Sequence, residues 1–306
     1  MIVRFFARRL GNAVVVLVGV TLVTFGLLQL TGDPLAAMLP VEASPESRQL
    51  VRTELSLDQP VPVQYLHFLG NAVQGKFGNS VRDPVSAMGL VLQRVPNTLQ
   101  LVGLSLLIAL LVGGLLGILA AWSKRPAVQA MAETVGLFGQ VVPEFWLGVV
   151  LVLMFAVKVR LFPASGHEGW TSLVLPSVTL AAYPLAMVMR LTRSSLLDVR
   201  HRDYVRTAMG KGLGPATVLS RHALRNAAIP VVSYLGVQVA RLLGGSIVVE
   251  TVFGYPGMGL LAVQAISNRD LPVVQAFMVV VALAVILASL CADALMGVVD
   301  PRISHA

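Results

Sequence analysis

Long apolar runs separated by shorter charged or turn-rich connections dominate the chain. Runs able to cross about 30 Å of hydrocarbon, roughly 20 residues of helix, lie at Leu10 to Leu30, Leu99 to Trp122, Met131 to Val157, Ser172 to Leu191, Val231 to Val249 and Val273 to Val299. Six transmembrane helices are predicted. Pro176, Pro184 and Tyr183 interrupt the fourth run, which a bundle tolerates when neighbouring helices satisfy the freed backbone groups. Composition agrees, with 56% hydrophobic and only 12% charged residues against about a quarter charged in soluble domains. The expected fold class is an all-α integral membrane protein.

Loop charge sets the orientation, because Lys and Arg are retained on the cytoplasmic side. Arg4, Arg8 and Arg9 precede the first run, Lys124 and Arg125 follow the second, and Arg193, Arg200, Arg202, Arg206, Lys211, Arg221 and Arg225 follow the fourth. Both termini are therefore expected in the cytoplasm. The region 31–96 balances Arg48, Arg52, Lys76, Arg82 and Arg94 with Asp33, Glu42, Glu46, Glu54, Asp58 and Asp83 and is expected outside. The net charge of +8 is confined to loops flanking apolar runs, so topology accounts for it and no nucleic-acid partner is expected. The first run exceeds the core of a cleaved signal and reads as an uncleaved helix. Cys291 lies within the last run and is expected to pack as a small apolar residue.

Two external segments are more than short connections. The stretch 31–96 reads as a small folded cap, with short amphipathic helices separated at Asp58, Gln59 and Pro60. Thr251 to Pro272 contains VFGYPGMG, whose glycines and proline favour tight turns. It reads equally as the lining of an entrance or as an interfacial loop.

Signatures of catalysis fail on inspection. Gly210-Lys211-Gly212 lacks the upstream glycine and the hydroxyl of a phosphate-cradling loop, so ATP hydrolysis by this chain alone is not expected. His167-Glu168 has Thr171 where a second metal-binding His would stand. Small residues four apart, Gly113 with Gly117 and Ala240 with Gly244, predict close helix packing, and Ser246 reads as a helix-packing residue. Glu144, Arg190, Arg241, Glu250 and Asp293 lie within or near apolar runs, where charge is costly and usually faces a bundle interior or a watery path. Arg241, with Gln238 one turn earlier, is a candidate for a translocation path, as is Glu250; a structural ion pair is the other reading of Arg241, and Arg190, Glu250 and Glu144 also read as residues at the membrane interfaces.

The stretch from Thr192 to Pro230 is basic and punctuated by glycine. Asp203 to Met209 suits a helix, Gly210, Gly212 and Gly214 allow a sharp elbow, Pro215 suits the start of a second helix, and Pro230 marks its expected end. Composition leaves two readings open: a docking projection or a solvated loop.

DYVRTAMGKGL followed by RHALRNAAIPVV resembles the cytoplasmic coupling loop of permease subunits in the dipeptide, oligopeptide and nickel branch of bacterial ABC importers. The likeness continues through ARRL, TGDPL, LSLDQPVPVQYLHFL, RVPNTLQL, VVPEFWLG, GGSIVVETVFGYPGMG and VDPRI. The general Glu-Ala-Ala of importer loops is replaced by Arg206, Thr207 and Ala208, with Gly212 at the matching glycine. The resemblance implies a type I importer permease: a cytoplasmic N-terminus (1–9), a first helix (10–30), the cap (31–96), a transmembrane core (97–299) containing the coupling loop (192–229), and a cytoplasmic C-terminus (300–306). Implied coupling residues are Asp203, Tyr204, Arg206, Thr207, Ala208, Lys211, Gly212, Leu213, His222 and Arg225. Implied partners are a second homologous permease, two ATPases that bind ATP and Mg, an extracytoplasmic binding protein and the lipid bilayer of the inner membrane. This chain itself would hold no cofactor or metal. Peptides are the first expected substrate, with nickel or glutathione as alternatives; a secondary transporter and a membrane-embedded enzyme are the competing classes.

Overall fold

The computed structural model describes residues 2–30, 44–46, 49, 52, 58–200 and 202–299. Helices account for nearly all of its regular structure; the exception is a single antiparallel bridge between Asn79 and Ser86. The helices are α1 (Ile2–Leu30), α2 (Val61–Val73), α3 (Ala87–Trp122), α4 (Pro126–Val141), α5 (Glu144–Lys158), α6 (Trp170–Arg200), α7 (Asp203–Gly210), α8 (Leu224–Val252), α9 (Met258–Ser267) and α10 (Leu271–Val299). Four of these, α3, α6, α8 and α10, are long and apolar enough to cross a bilayer, and α1 carries a shorter apolar stretch at Gly11–Gly26.

The predicted third span, Met131 to Val157, is not one straight helix. It is the pair α4 and α5, bent by 111°. Val142 is extended (φ −77°, ψ 124°) and so is Pro143 (φ −61°, ψ 137°); the proline ring clashes with a helical residue before it and supplies no N–H to continue the ladder. Prolines elsewhere are absorbed. Pro184 lies inside α6, Pro96 inside α3, and Pro230 inside α8 rather than at the boundary expected there. Helix α3 likewise starts at Ala87, well before the apolar run at Leu99.

The chain forms two compact units. One comprises 1–98 and 256–286, the other 99–255 and 287–306. In the first, Phe77, Ala87, Val91, Met258, Ala265, Val273 and Ala276 form a buried cluster. Thr98 Oγ1 accepts the Met258 N–H at 2.9 Å, and Asn97 Nδ2 donates to the Pro256 carbonyl at 2.8 Å. The Ser80 hydroxyl donates to the Asp270 carboxylate at the start of α10. The segment Thr251 to Pro272, expected as a turn-rich loop, therefore holds a helix, α9, tied down at both ends. The first of the expected cap helices lies mostly outside the described residues; the second is α2.

In the second unit α6 is central, with 61% of its apolar window buried. Small residues explain how its neighbours approach. A Cβ at Gly113 or Gly117 of α3 would stand 2.5 Å from the Leu185 carbonyl oxygen or 2.6 Å from that of Met189, and one at Gly139 of α4 would stand 2.5 Å from that of Ala182. The Gly113/Gly117 pair thus packs as expected. Gly244 does not, since its Cβ position is open space, and the close approach on α8 is at Gly236 against Ala292. Hydrophobic spacing alone cannot tell which of two small-residue faces meets a helix. Cys291 is exposed rather than packed.

Candidate functional site

The basic segment folds into a helix and an elbow. Asp203 opens α7, where a carboxylate favours the positive end of the helix dipole. Val205 and Ala208, three apart on one face, are buried with Val218, and Trp122 and Val199 pack against them. The rest of the segment's surface is open: Tyr204, Arg206, Thr207, Lys211, Gly212 and Leu213 are all exposed, as is Arg225. Among the predicted coupling residues whose side chains are described, Ala208 alone is buried, packed with Val205 and Val218. The His222 side chain lies outside the described residues.

Gly212 closes the helix. The Leu213 N–H reaches the Ala208 carbonyl at 3.3 Å and the Gly212 N–H reaches that of Met209 at 3.0 Å, the paired bonds of a Schellman cap with the left-handed residue at Gly212. Its φ is +81°. Gly214 then accepts the Val218 N–H at 3.1 Å, and Pro215–Thr217 and the wider-coiled Val218–Ala223 run straight into α8. The Asn226 amide of α8 donates to the Tyr204 hydroxyl at 2.9 Å, pinning α7 back onto that helix. Arg200 stacks 5.8 Å above Trp122 behind the elbow.

A second polar group lies along α8. Tyr234, Gln238, Arg241 and Gly245 follow i, i+4, i+7, i+11 and share one face. Gln238 is buried, whereas Arg241 is exposed and its guanidinium carbon lies 4.0 Å over the Tyr183 ring of α6. Glu144, the first residue of α5 after the bend, brings a carboxylate oxygen within 3.9 Å of where a Gly245 Cβ would sit. Glu250 is fully buried. Sequence reasoning kept Gln238, Arg241 and Glu250 but missed the two tyrosines; the helical spacing from Arg241 back to Tyr234 was the available signal for one of them. Beyond α8, the Phe253–Tyr255 turn repeats the Schellman cap with Gly254 at φ +56°. Burial, together with the neighbouring Glu250 charge, pushes the Tyr255 phenol up to about 12.

Residues 113–305 match the family described as binding-protein-dependent transport system inner membrane component, and residues 2–102 match the N-terminal family of such components. The chain belongs to this family of importer permeases. It is 38% identical to the di/tripeptide transport system permease protein DppB of Pseudomonas aeruginosa over 98% of both chains. It is 36% identical to the oligopeptide transport system permease protein AppB of Bacillus subtilis, covering 98% of this chain and 99% of that one. Identity to the glutathione transport system permease protein GsiC of Escherichia coli is 38%, over 97% of each. Among solved structures, the inward-facing MetNI methionine ABC transporter aligns with a TM-score of 0.56 at 17% identity, covering 70% of this chain and 97% of that chain. The fold is thus that of an ABC importer permease, and the protein is a multi-pass membrane protein.

Proposed function

We propose that this permease is one of two non-identical membrane subunits of an ATP-driven importer and forms half of a translocation path for di- or oligopeptides. An extracytoplasmic binding protein delivers the peptide, and two partner ATPases bind ATP and Mg. The observation that carries the reading is the α7 elbow. It leaves Tyr204, Arg206, Thr207, Lys211 and Leu213 exposed while Val205 and Ala208 anchor its buried face. A merely solvated loop has no use for a buried anchor of this kind. Docked in an ATPase groove, the elbow would pass closure of the ATPases to the helices as a rigid-body rotation, giving alternating access. The termini and the 192–229 segment are then cytoplasmic and 31–96 is outside. Peptides lead because relatives named for di/tripeptide and oligopeptide transport match over nearly the whole chain; the glutathione reading rests on a relative of equal identity.

Reconstitution with the partner subunits tests this. Arg206→Glu combined with Lys211→Glu should lower ATPase retention by about tenfold at low salt, with a smaller effect as salt screens the surface charges. Wild-type retention and wild-type hydrolysis stimulated by loaded binding protein would show the elbow to be an ordinary loop.

A further inference from the structure

Two opposite charges of the second unit, Arg241 and Glu144, lie within electrostatic reach of each other without closing into an ion pair. Arg241 makes no hydrogen bond or ion pair among the described residues; its guanidinium rests on the Tyr183 ring face at 4.0 Å. That stacking orients the guanidinium and leaves its N–H donors free. Glu144, half-buried at the start of α5, likewise has no hydrogen bond or ion pair among the described residues, yet lies within electrostatic reach of Arg241. The Tyr234 hydroxyl is buried with no hydrogen-bond partner among the described residues, and both Tyr183 and Arg241 lie within its electrostatic reach. Unpaired charge is expensive in hydrocarbon and persists where a path or ligand uses it. A structural ion pair would have closed to within about 4 Å and given the tyrosine a partner.

We infer that Arg241, Glu144 and Tyr234, with Tyr183 as the platform, form a subsite on the translocation path for a zwitterionic peptide. Its carboxylate is taken by Arg241 and its ammonium by Glu144. The guanidinium fork matches a carboxylate and the carboxylate of Glu144 matches an ammonium, so a molecule carrying both charges neutralises the pair. The tyrosine hydroxyl serves as donor or acceptor to the peptide between them. The bend at Val142 and Pro143 is what delivers Glu144 to this face of α8, which gives the broken helix a purpose. The inference deepens the peptide reading and rests on it.

The test uses the reconstituted complex with its binding protein and three probes: dialanine, its C-terminal amide and its N-acetyl form. Binding-protein occupancy by each is measured directly, and import is compared at equal occupancy so that only the permease step is read. The wild type should favour dialanine over either blocked form by about tenfold or more, as expected for one charge-assisted contact. Arg241→Gln should abolish the preference over the amide while keeping that over the N-acetyl form. Glu144→Gln should do the reverse, and Arg241→Lys should retain part of the carboxylate preference. The ATPases should remain bound in all three variants, showing that the complex assembles. Equal loss for all probes in both neutral variants, restored without regard to probe by the charge-swapped Glu144→Arg, Arg241→Glu pair, would overturn the subsite in favour of a structural pair. Loss of assembly in both neutral variants would do the same. Failure of the wild-type complex to import any peptide while retaining its ATPases would instead remove the peptide reading beneath it.

Discussion

Gly212→Val is the sharpest perturbation of the coupling elbow. Gly212 sits at φ +81° with nothing within 4 Å of its Cβ position, so a side chain there meets no atom of this chain and the whole intramolecular cost is conformational. A left-handed backbone costs an L-residue about 1 to 2 kcal/mol, and a β-branched one is least suited to it. Relief requires opening the cap, which breaks the bonds at 3.0 and 3.3 Å and swings Leu213 and Gly214 away from α7. If docking needs the closed elbow, affinity for the ATPases falls by roughly 5- to 30-fold, since about 1.4 kcal/mol is a factor of ten. Two companions make the reasoning specific. Gly214→Ala, where φ is not left-handed and space is open, should be near neutral. Gly212→Asn, a residue that accepts left-handed φ, should retain most of the docking. The assay is ATPase co-purification with titrated salt, followed by hydrolysis stimulated by loaded binding protein. Wild-type behaviour of Gly212→Val would refute the argument, as would a Gly212→Asn variant as weak as Gly212→Val, which would point to a groove that excludes any side chain.

Other outcomes follow from the same geometry. Gly117→Ala should destabilise the solubilised permease by about 1 to 3 kcal/mol, because its methyl would stand 2.6 Å from the Met189 carbonyl oxygen, whereas Gly244→Ala should leave thermal unfolding unchanged. In a Cys291→Ala background, an impermeant thiol reagent applied to sealed cells should label Gln74→Cys and spare Ser220→Cys; the opposite pattern would invert the topology. Tyr255 gives a pH signature: folding favours its neutral form, so its contribution is complete below the ordinary phenol value of 10 and is lost as pH rises toward about 12. Tyr255→Phe should flatten that alkaline limb in pH-dependent unfolding, and an unchanged limb would count against the burial assigned to this phenol.

Apolar run length located α3, α6, α8 and α10 because a helix in lipid must be long and hydrophobic, a requirement independent of its partners. The elbow was legible for a related reason, since glycine at Gly212 and proline at Pro215 act on their own backbone. What the sequence could not reveal depended on neighbours. Pro143 breaks its run while Pro184, Pro96 and Pro230 do not, and the same ring chemistry gives both outcomes according to what surrounds the freed carbonyl. Gly113 and Gly244 have similar sequence surroundings, yet only the first meets α6. Arg241 stood out as a charge in an apolar run, but its platform, Tyr183, belongs to a different helix and follows no local rule.

The two proposed sites are joined by a single element. The elbow leaves Gly214, passes through Pro215–Thr217 and the π-coiled Val218–Ala223, and becomes α8 without a break. From Leu224 to Arg241 is about 25 Å at 1.5 Å per residue, and Asn226 near the start of that helix holds the Tyr204 hydroxyl of the docking face. Movement of the elbow must therefore either turn α8 as a rod or be absorbed in the π-type segment, where widened coiling is a common place for a helix to yield. The buried packing of Ala223 and Ala227 with Leu196 and Ala121 braces the far side of that joint and favours the rod. Rotation of the rod changes the direction in which Arg241 faces, while Glu144 sits on α5 beyond its own bend at Pro143. On the proposed coupling, the gap between the two charges follows the angle of the helix that the elbow drives, and a peptide held by both would be released when that angle changes.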